Sequence, residues 1–414
     1  MKSFFQKFHI VTGILLCFIL PVFQKLAPIL IILWAVTFLF FGVNKSFFKN
    51  IFKNKNSVAA LLFFIIHVVA LLYTENMSSG VFDVESKLSF LIFPVIMSSS
   101  IYYYTERVVD NYLKAFVLGN ILATLYCLYL AFYKWIFLDA PFQYFTYVDL
   151  SEIMHPTYFA MYLSFAILIS IYLINKSGKK LPLYRGVLIF CIILFSVMIY
   201  LLSSKGGILT LFVLTLYFIF HFIKNKKLLI LYLAGIVVAF LFFAITNSRV
   251  SHFTNKAVET LTLKLESDKA VVNNSTEKRI HIWRSGLSLA KENWLFGVSA
   301  GDLKYDLSDK YYATLEENNN EEIYFNAHNQ YLETFIAVGV FGFLILIYWL
   351  IYPVFYNTLN NNRVLILGMF IILFINFIFE SILNRQEGIV FTVFFWTLLT
   401  NSKKVSFNLK KSIS

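Results

Sequence analysis

Six residues have the types and settings that chemistry in an apolar chain would need: His328, Asn329, Arg279, Arg284, Lys205 and Arg385. His328 and Asn329 lie in the stretch 326–342, Asn-Ala-His-Asn-Gln-Tyr-Leu-Glu-Thr-Phe-Ile-Ala-Val-Gly-Val-Phe-Gly, where a long polar segment gives way to an apolar helix. An imidazole at such a junction can exchange protons near neutral pH while held on a rigid element. The plainer reading is an interfacial histidine that caps the helix. At helical spacing His328, Leu332, Phe335, Gly339 and Gly342 share one face, and the two glycines admit a close neighbour. Arg279 and Arg284 flank Trp283. Guanidinium groups keep their charge and pair with phosphate oxygens as a fork, so they suit a pyrophosphate. Snorkelling on a surface helix would explain the same pair.

The elements that hold these residues must be mostly membrane helices. The chain has 414 residues, 59% hydrophobic, 19% aromatic and 14% charged, with mean hydropathy +0.72. Soluble domains are typically ~25% charged. The composition therefore gives an all-α polytopic membrane protein and excludes a soluble enzyme. The net charge of +12 lies mostly beside apolar runs, so it calls for membrane lipid headgroups and not for nucleic acid. Cys17, Cys127 and Cys191 sit inside apolar spans and read as small hydrophobes, with no disulfide framework and no metal site. Lys2 and Lys7 precede the first apolar run without a small-residue cleavage site, which fits a retained helix.

At about 20 apolar residues per span, twelve spans are expected, at 8–24, 26–43, 57–73, 88–104, 112–137, 156–174, 187–203, 207–223, 228–246, 327–352, 364–383 and 386–401. They group as N-terminal helices (1–150), central helices (151–246), an outward loop (247–326), C-terminal helices (327–401) and a basic tail (402–414). With the N-terminus in the cytoplasm, one set of short loops holds 20 Lys and Arg residues against 5 in the other. The positive-inside rule then places both termini in the cytoplasm. The loop 247–326, the Ser203-Ser-Lys-Gly-Gly207 turn, the segment 380–388 and His328 all face outward on this topology. In the loop, 256–265 suits a short helix or a strand. Residues 277–296 suit an amphipathic helix with Ile280, Trp283, Leu287, Ala290 and Trp294 on its apolar face, started near Asn274 to Thr276 and stopped by Gly297. Its two tryptophans suit the bilayer surface. His155, before Pro156, reads as a structural loop residue, and 316–322 as a solvated acidic turn.

Several of these residues together resemble the O-antigen ligase family signature. They are Arg279-Ile-His-Ile-Trp283 with Asn293-Trp-Leu-Phe-Gly297, and Ala327-His328-Asn329-Gln-Tyr-Leu332 with Gly339-Val-Phe-Gly342. Ser204-Lys205-Gly206-Gly207 and Asn384-Arg385-Gln-Glu-Gly388 complete the resemblance, which covers roughly 150–400. It departs from the usual glycine-x-glycine after the amphipathic helix, reading Gly297-Val-Ser299. The resemblance implies a GT-C-like glycosyltransferase of the bacterial inner membrane, working on the periplasmic face without a metal, cofactor or nucleotide sugar. Its donor would be a glycan on undecaprenyl diphosphate. The acceptor would be lipid A–core for a ligase, and another carrier-linked repeat for a polymerase. On that pattern Arg279 clamps the diphosphate with Arg284 as a second candidate, and Lys205 stands where many relatives carry arginine. His328 is general base or orienting group, and Asn329 positions the acceptor or caps the helix. Arg385 is a phosphate ligand or a membrane-end anchor. A lipid-linked glycan flippase is the reading from another class; it would place its charges within the spans, along a path. A purely structural scaffold would not need the clustered His and Arg.

Overall fold

The computed structural model describes residues 1–42, 47–101, 103–178, 181–223, 275–315, 324–356 and 363–401, and isolated positions between 225 and 238. The expected features at 256–265, 316–322 and 402–414, and most of the span 228–246, lie outside them. The described residues are helical, with no strand among them. In chain order the helices are α1 (Lys2–Ile19), α2 (Ala27–Phe41), α3 (Phe47–Lys53), α4 (Lys55–Ala70), α5 (Met77–Ser86), α6 (Ser89–Ser99) and α7 (Glu106–Phe137). Then come α8 (Pro156–Ser177), α9 (Pro182–Leu201), α10 (Lys205–Phe222), α11 (Ser275–Glu292), α12 (Leu303–Leu315), α13 (Gln330–Tyr356), α14 (Arg363–Phe379) and α15 (Gln386–Asn401).

Eight helices among the described residues are long and apolar enough to cross a membrane, and Arg363–Phe379 is a shorter apolar one. The expected span 88–104 is only the 11-residue α6. It stops at the serines 98–100, where Ser99 and Ser100 turn their hydroxyls back onto the Ile96 carbonyl. The last expected span is the 16-residue α15. Its residues from Gly388 to Asn401 are all buried, because this helix is enclosed by protein on every side and apolar all round. Phe391 and Phe395 pack edge-on or tilted against Phe116 and Phe165, and Trp396 Nε1 donates to the Trp349 carbonyl at 3.1 Å. At its end Asn401 joins Asn54, Ser57 and Ser98 in a buried polar knot that ties α15 to α4 and α6.

A second, smaller core lies at one end of the bundle. Ile282 and Leu289 of α11, Leu307 and Tyr311 of α12, Phe325 and Ile336 pack together there. Thus α11 and α12 form a cap seated on the start of α13. The buried face of α11 is rotated from the expected one. Ile282, Ser285, Leu289 and Ala290 are buried, while Leu287 and Trp294 are about half exposed. The rotation follows from close packing: a Cβ on Gly286 would stand 3.1 Å from both Leu332 and Ile336 side chains.

The turn after α11 inserts into α13 and breaks it. Val298 and Ser299 N–H donate to the Ile336 and Ala337 carbonyls, each at 2.9 Å, and Val340 N–H donates to the Trp294 carbonyl at 2.9 Å. The helix dihedrals fail at Val338 and Gly339, where φ is −132° and 65°. A Cβ on Gly339 would lie 2.2 Å from Leu295 O. Gly339 therefore admits a turn rather than a helix, and the expected continuous face from His328 to Gly342 does not exist.

Candidate functional site

The cap brings α11, the start of α13 and the end of α14 to one place. Arg279 of α11 donates from Nη1 to the Phe379 carbonyl at 3.0 Å, and its Nη2 stands 3.7 Å from Glu380 Oε2. The other carboxylate oxygen, Oε1, accepts from His328 Nδ1 at 3.0 Å. One carboxylate thus holds both the guanidinium and the imidazole. The Glu380 side chain is 8% exposed, against 30% for Arg279 and 32% for His328. Burial pushes the Glu380 carboxyl up, but His328, Arg279 and His155 together outweigh it and hold the group below its ordinary value. With Nδ1 turned to Glu380, the imidazole has Nε2 left for a substrate.

His328 does not open a helix. It sits in the turn before α13 with φ 45°, a conformation that costs energy for any residue but glycine. The turn is held from several sides. Asn326 Oδ1 accepts from His328 N–H at 3.0 Å, and Trp283 Nε1 donates to the Ala327 carbonyl at 2.8 Å. Trp283 is therefore a strut for the histidine turn. Asn329 caps α13, its Oδ1 accepting from Tyr331 and Leu332 N–H at 3.0 and 3.1 Å. Of the two roles expected for Asn329, the cap is the one present in the structure.

Lys205 begins α10 and is half-buried. A Cβ on its neighbour Gly206 would stand 3.4 Å from Phe379 Cβ, so this helix start lies against the same end of α14 that accepts from Arg279. Arg385 is exposed and precedes α15. Its charge reaches His155, which caps α8 by accepting from Thr157 N–H at 3.4 Å. Burial lowers the His155 pKa below 6.5; Glu380 opposes that, and Arg385, Arg279 and His328 reinforce it. His155 thus has the structural role expected of it, as a helix cap, and stands close enough to the cluster to feel its charges. Arg284 is exposed, and five residues of helix turn it about 140° from Arg279. No ion pair among the described residues joins it to Glu380.

Two carboxylates were not expected from the sequence. Glu380 ends an apolar helix, and a histidine intended as a base needs an acceptor to fix its ring; that pairing was the available signal. Glu333 lies in the first turn of α13 and is buried. It accepts from Ala327 N–H at 2.6 Å, from Ser381 Oγ at 3.1 Å and from Asn384 Nδ2. It clamps the turn before His328 to the segment after Glu380. Gln330 adds a second tie, its Oε1 accepting from Leu383 N–H at 2.6 Å. An ionisable residue in an apolar span is itself a signal of function.

A bundle of apolar helices capped at one end, with Arg, Glu and His gathered under the cap, defines a polytopic membrane protein with a polar site at its rim. Residues 189–347 match the family model described as O-antigen ligase. Over that region the chain is similar to the O-antigen ligase family, in line with the residue resemblance. The match includes Lys205, Arg279, Arg284, His328 and Asn329, and stops before Glu380 and Arg385. The chain is also similar to an uncharacterized protein of Haemophilus influenzae (strain ATCC 51907 / DSM 11121 / KW20 / Rd), 28% identical over 242 residues. That similarity covers 55% of this chain and 59% of the relative.

Proposed function

We propose that the chain is a glycosyltransferase that moves a glycan from undecaprenyl diphosphate to a hydroxyl of an acceptor such as lipid A–core, on the periplasmic face of the inner membrane. The observation that carries this reading is the Glu380 carboxylate holding Arg279 and His328 together under the cap. In the step proposed, the acceptor hydroxyl oxygen attacks the anomeric carbon of the donor glycan. The bond from that carbon to the diphosphate oxygen breaks, and its electron pair leaves with the diphosphate. The hydroxyl proton passes to His328 Nε2, while Glu380 stabilises the imidazolium that forms. Arg279 offsets the charge on the departing diphosphate, with Lys205 and Arg385 as further cations at the rim. Glu380 keeps Arg279 placed in the absence of donor. No metal enters this scheme.

A polymerase that joins carrier-linked repeats would use the same chemistry on another acceptor. Deleting the chain and resolving surface glycolipids by gel separates the two. Long glycan retained on the carrier supports the ligase, and single repeats on the finished glycolipid support the polymerase. An unchanged glycolipid pattern would contradict both.

A further inference from the structure

A cavity of about 480 Å³ lies beside the cluster. Its walls come from α4, from α5 and the turn after it, from the start of α12 and the residues before it, from the start of α13, and from the segments before His328 and after Glu380. Asp83, Lys87, Ser79, Tyr324, Asn326 and Asn384 are among the side chains that line it. Hydroxyls, amides, carboxylates, ammonium groups and aromatic rings meet on this surface, beside apolar residues such as Leu303 and Ala337. Such a lining suits a ligand that carries many hydroxyls and offers both donors and acceptors. A lipid chain would offer the polar part of this lining no hydrogen bond.

The cavity shares a wall with the proposed site. Asn326 lines it and accepts from the His328 N–H. Glu333 and Asn384 line it and bond to each other, and Glu333 also holds Ala327 and Ser381, the neighbours of His328 and Glu380. Lys87, which is buried, and Asp83, which is partly buried, line it as an ion pair, with side chains 4% and 18% exposed. One Asp83 oxygen takes the lysine, and the other, Oδ2, is buried without a hydrogen-bond partner. A buried carboxylate oxygen without a donor is costly. The carboxylate torsion is broad and two-fold, and Asp83 lines the cavity, so turning the carboxylate is what would bring this oxygen to a ligand hydroxyl.

We infer that this cavity binds the saccharide of the acceptor, with Asp83 and Lys87 as specificity-determining residues, and presents its hydroxyl across the shared wall to His328. The inference rests on the transfer reading above. It assigns donor and acceptor to opposite sides of the His328 turn: diphosphate at Arg279 and Phe379, saccharide at Asp83 and Lys87. The saccharide can come from a glycolipid core or from a second carrier-linked repeat.

The test uses the full chain in nanodiscs and three soluble or dispersed probes: core oligosaccharide released from lipid A, the repeat-unit oligosaccharide, and undecaprenyl diphosphate. Asp83→Asn removes the charge at nearly constant shape. Ser78→Trp starts from an exposed residue at the cavity rim, so it fills space without disturbing the core. Both variants should weaken binding of a saccharide probe at least tenfold and leave undecaprenyl diphosphate binding unchanged; the probe affected identifies the source. Saccharide binding by the wild type with no binding of undecaprenyl diphosphate would also support the cavity, while counting against the donor reading. Equal saccharide binding by wild type and both variants would overturn the inference. So would absence of saccharide binding by the wild type, or loss of the diphosphate probe in Ser78→Trp.

Discussion

The work of the proposed site falls on three side chains, and the middle one decides how the others behave. Glu380 fixes the His328 ring and keeps Arg279 in place, so Glu380→Gln should slow transfer by about 10² or more while the chain still folds; turnover of purified variant and wild type measures this. Its pH dependence follows from the direction of the shift. The folded pKa lies below the ordinary 4.5. The cluster's contribution to stability is therefore complete above that value and is lost as pH falls below it. Thermal melts should show the wild type losing its advantage over Glu380→Gln only in that acid window. Arg279 is expected to tolerate little: Arg279→Lys keeps the charge but loses the fork that spans Phe379 O and Glu380, and should lower turnover at least tenfold. His328 and Arg279, which the structure brings to one carboxylate, could be singled out in the sequence because their types and settings are unusual in an apolar chain. Glu380 and Glu333 were not assigned, because their roles exist only as pairings between segments about 50 residues apart.

At the scale of the element, placement of His328 depends on the turn that breaks α13. That turn needs Gly339 at φ 65° with Leu295 O against it, so Gly339→Ala should cost about 3 kcal/mol or more. A lowered melting temperature together with lost activity would show it; a variant as stable as the wild type would contradict the account. Asp302 is the second anchor of the cap. It accepts from Thr74 Oγ1, Glu75 N–H and Asn76 N–H at 3.0, 2.9 and 2.7 Å. Asp302→Ala leaves these donors unpaired and should destabilise the protein by about 2–3 kcal/mol. Helical periodicity located α11 and α13 well but mistook their faces. The moment of a short amphipathic helix is broad, and the packing of Gly286 against Leu332 and Ile336 chose the face actually buried. The break at Gly339 could not be read from periodicity, since an inserted turn leaves the apolar spacing intact.

For the whole molecule, hydropathy located the helices, and eight of those among the described residues are long and apolar enough to cross a membrane. Apolar length measures burial, and α15 is buried by protein as completely as a span is by lipid, while α6 ends early at its serines. The resemblance implies chemistry without a metal, so a chelator should leave transfer at the wild-type rate; a stoichiometric metal requirement would contradict it. The most direct measurement is glycan transfer by the purified full chain from an undecaprenyl-diphosphate-linked donor to acceptor glycolipid, comparing wild type with His328→Ala. The proposed base predicts a loss of about 10²- to 10⁴-fold in turnover with donor binding retained. Transfer by His328→Ala at the wild-type rate would contradict it.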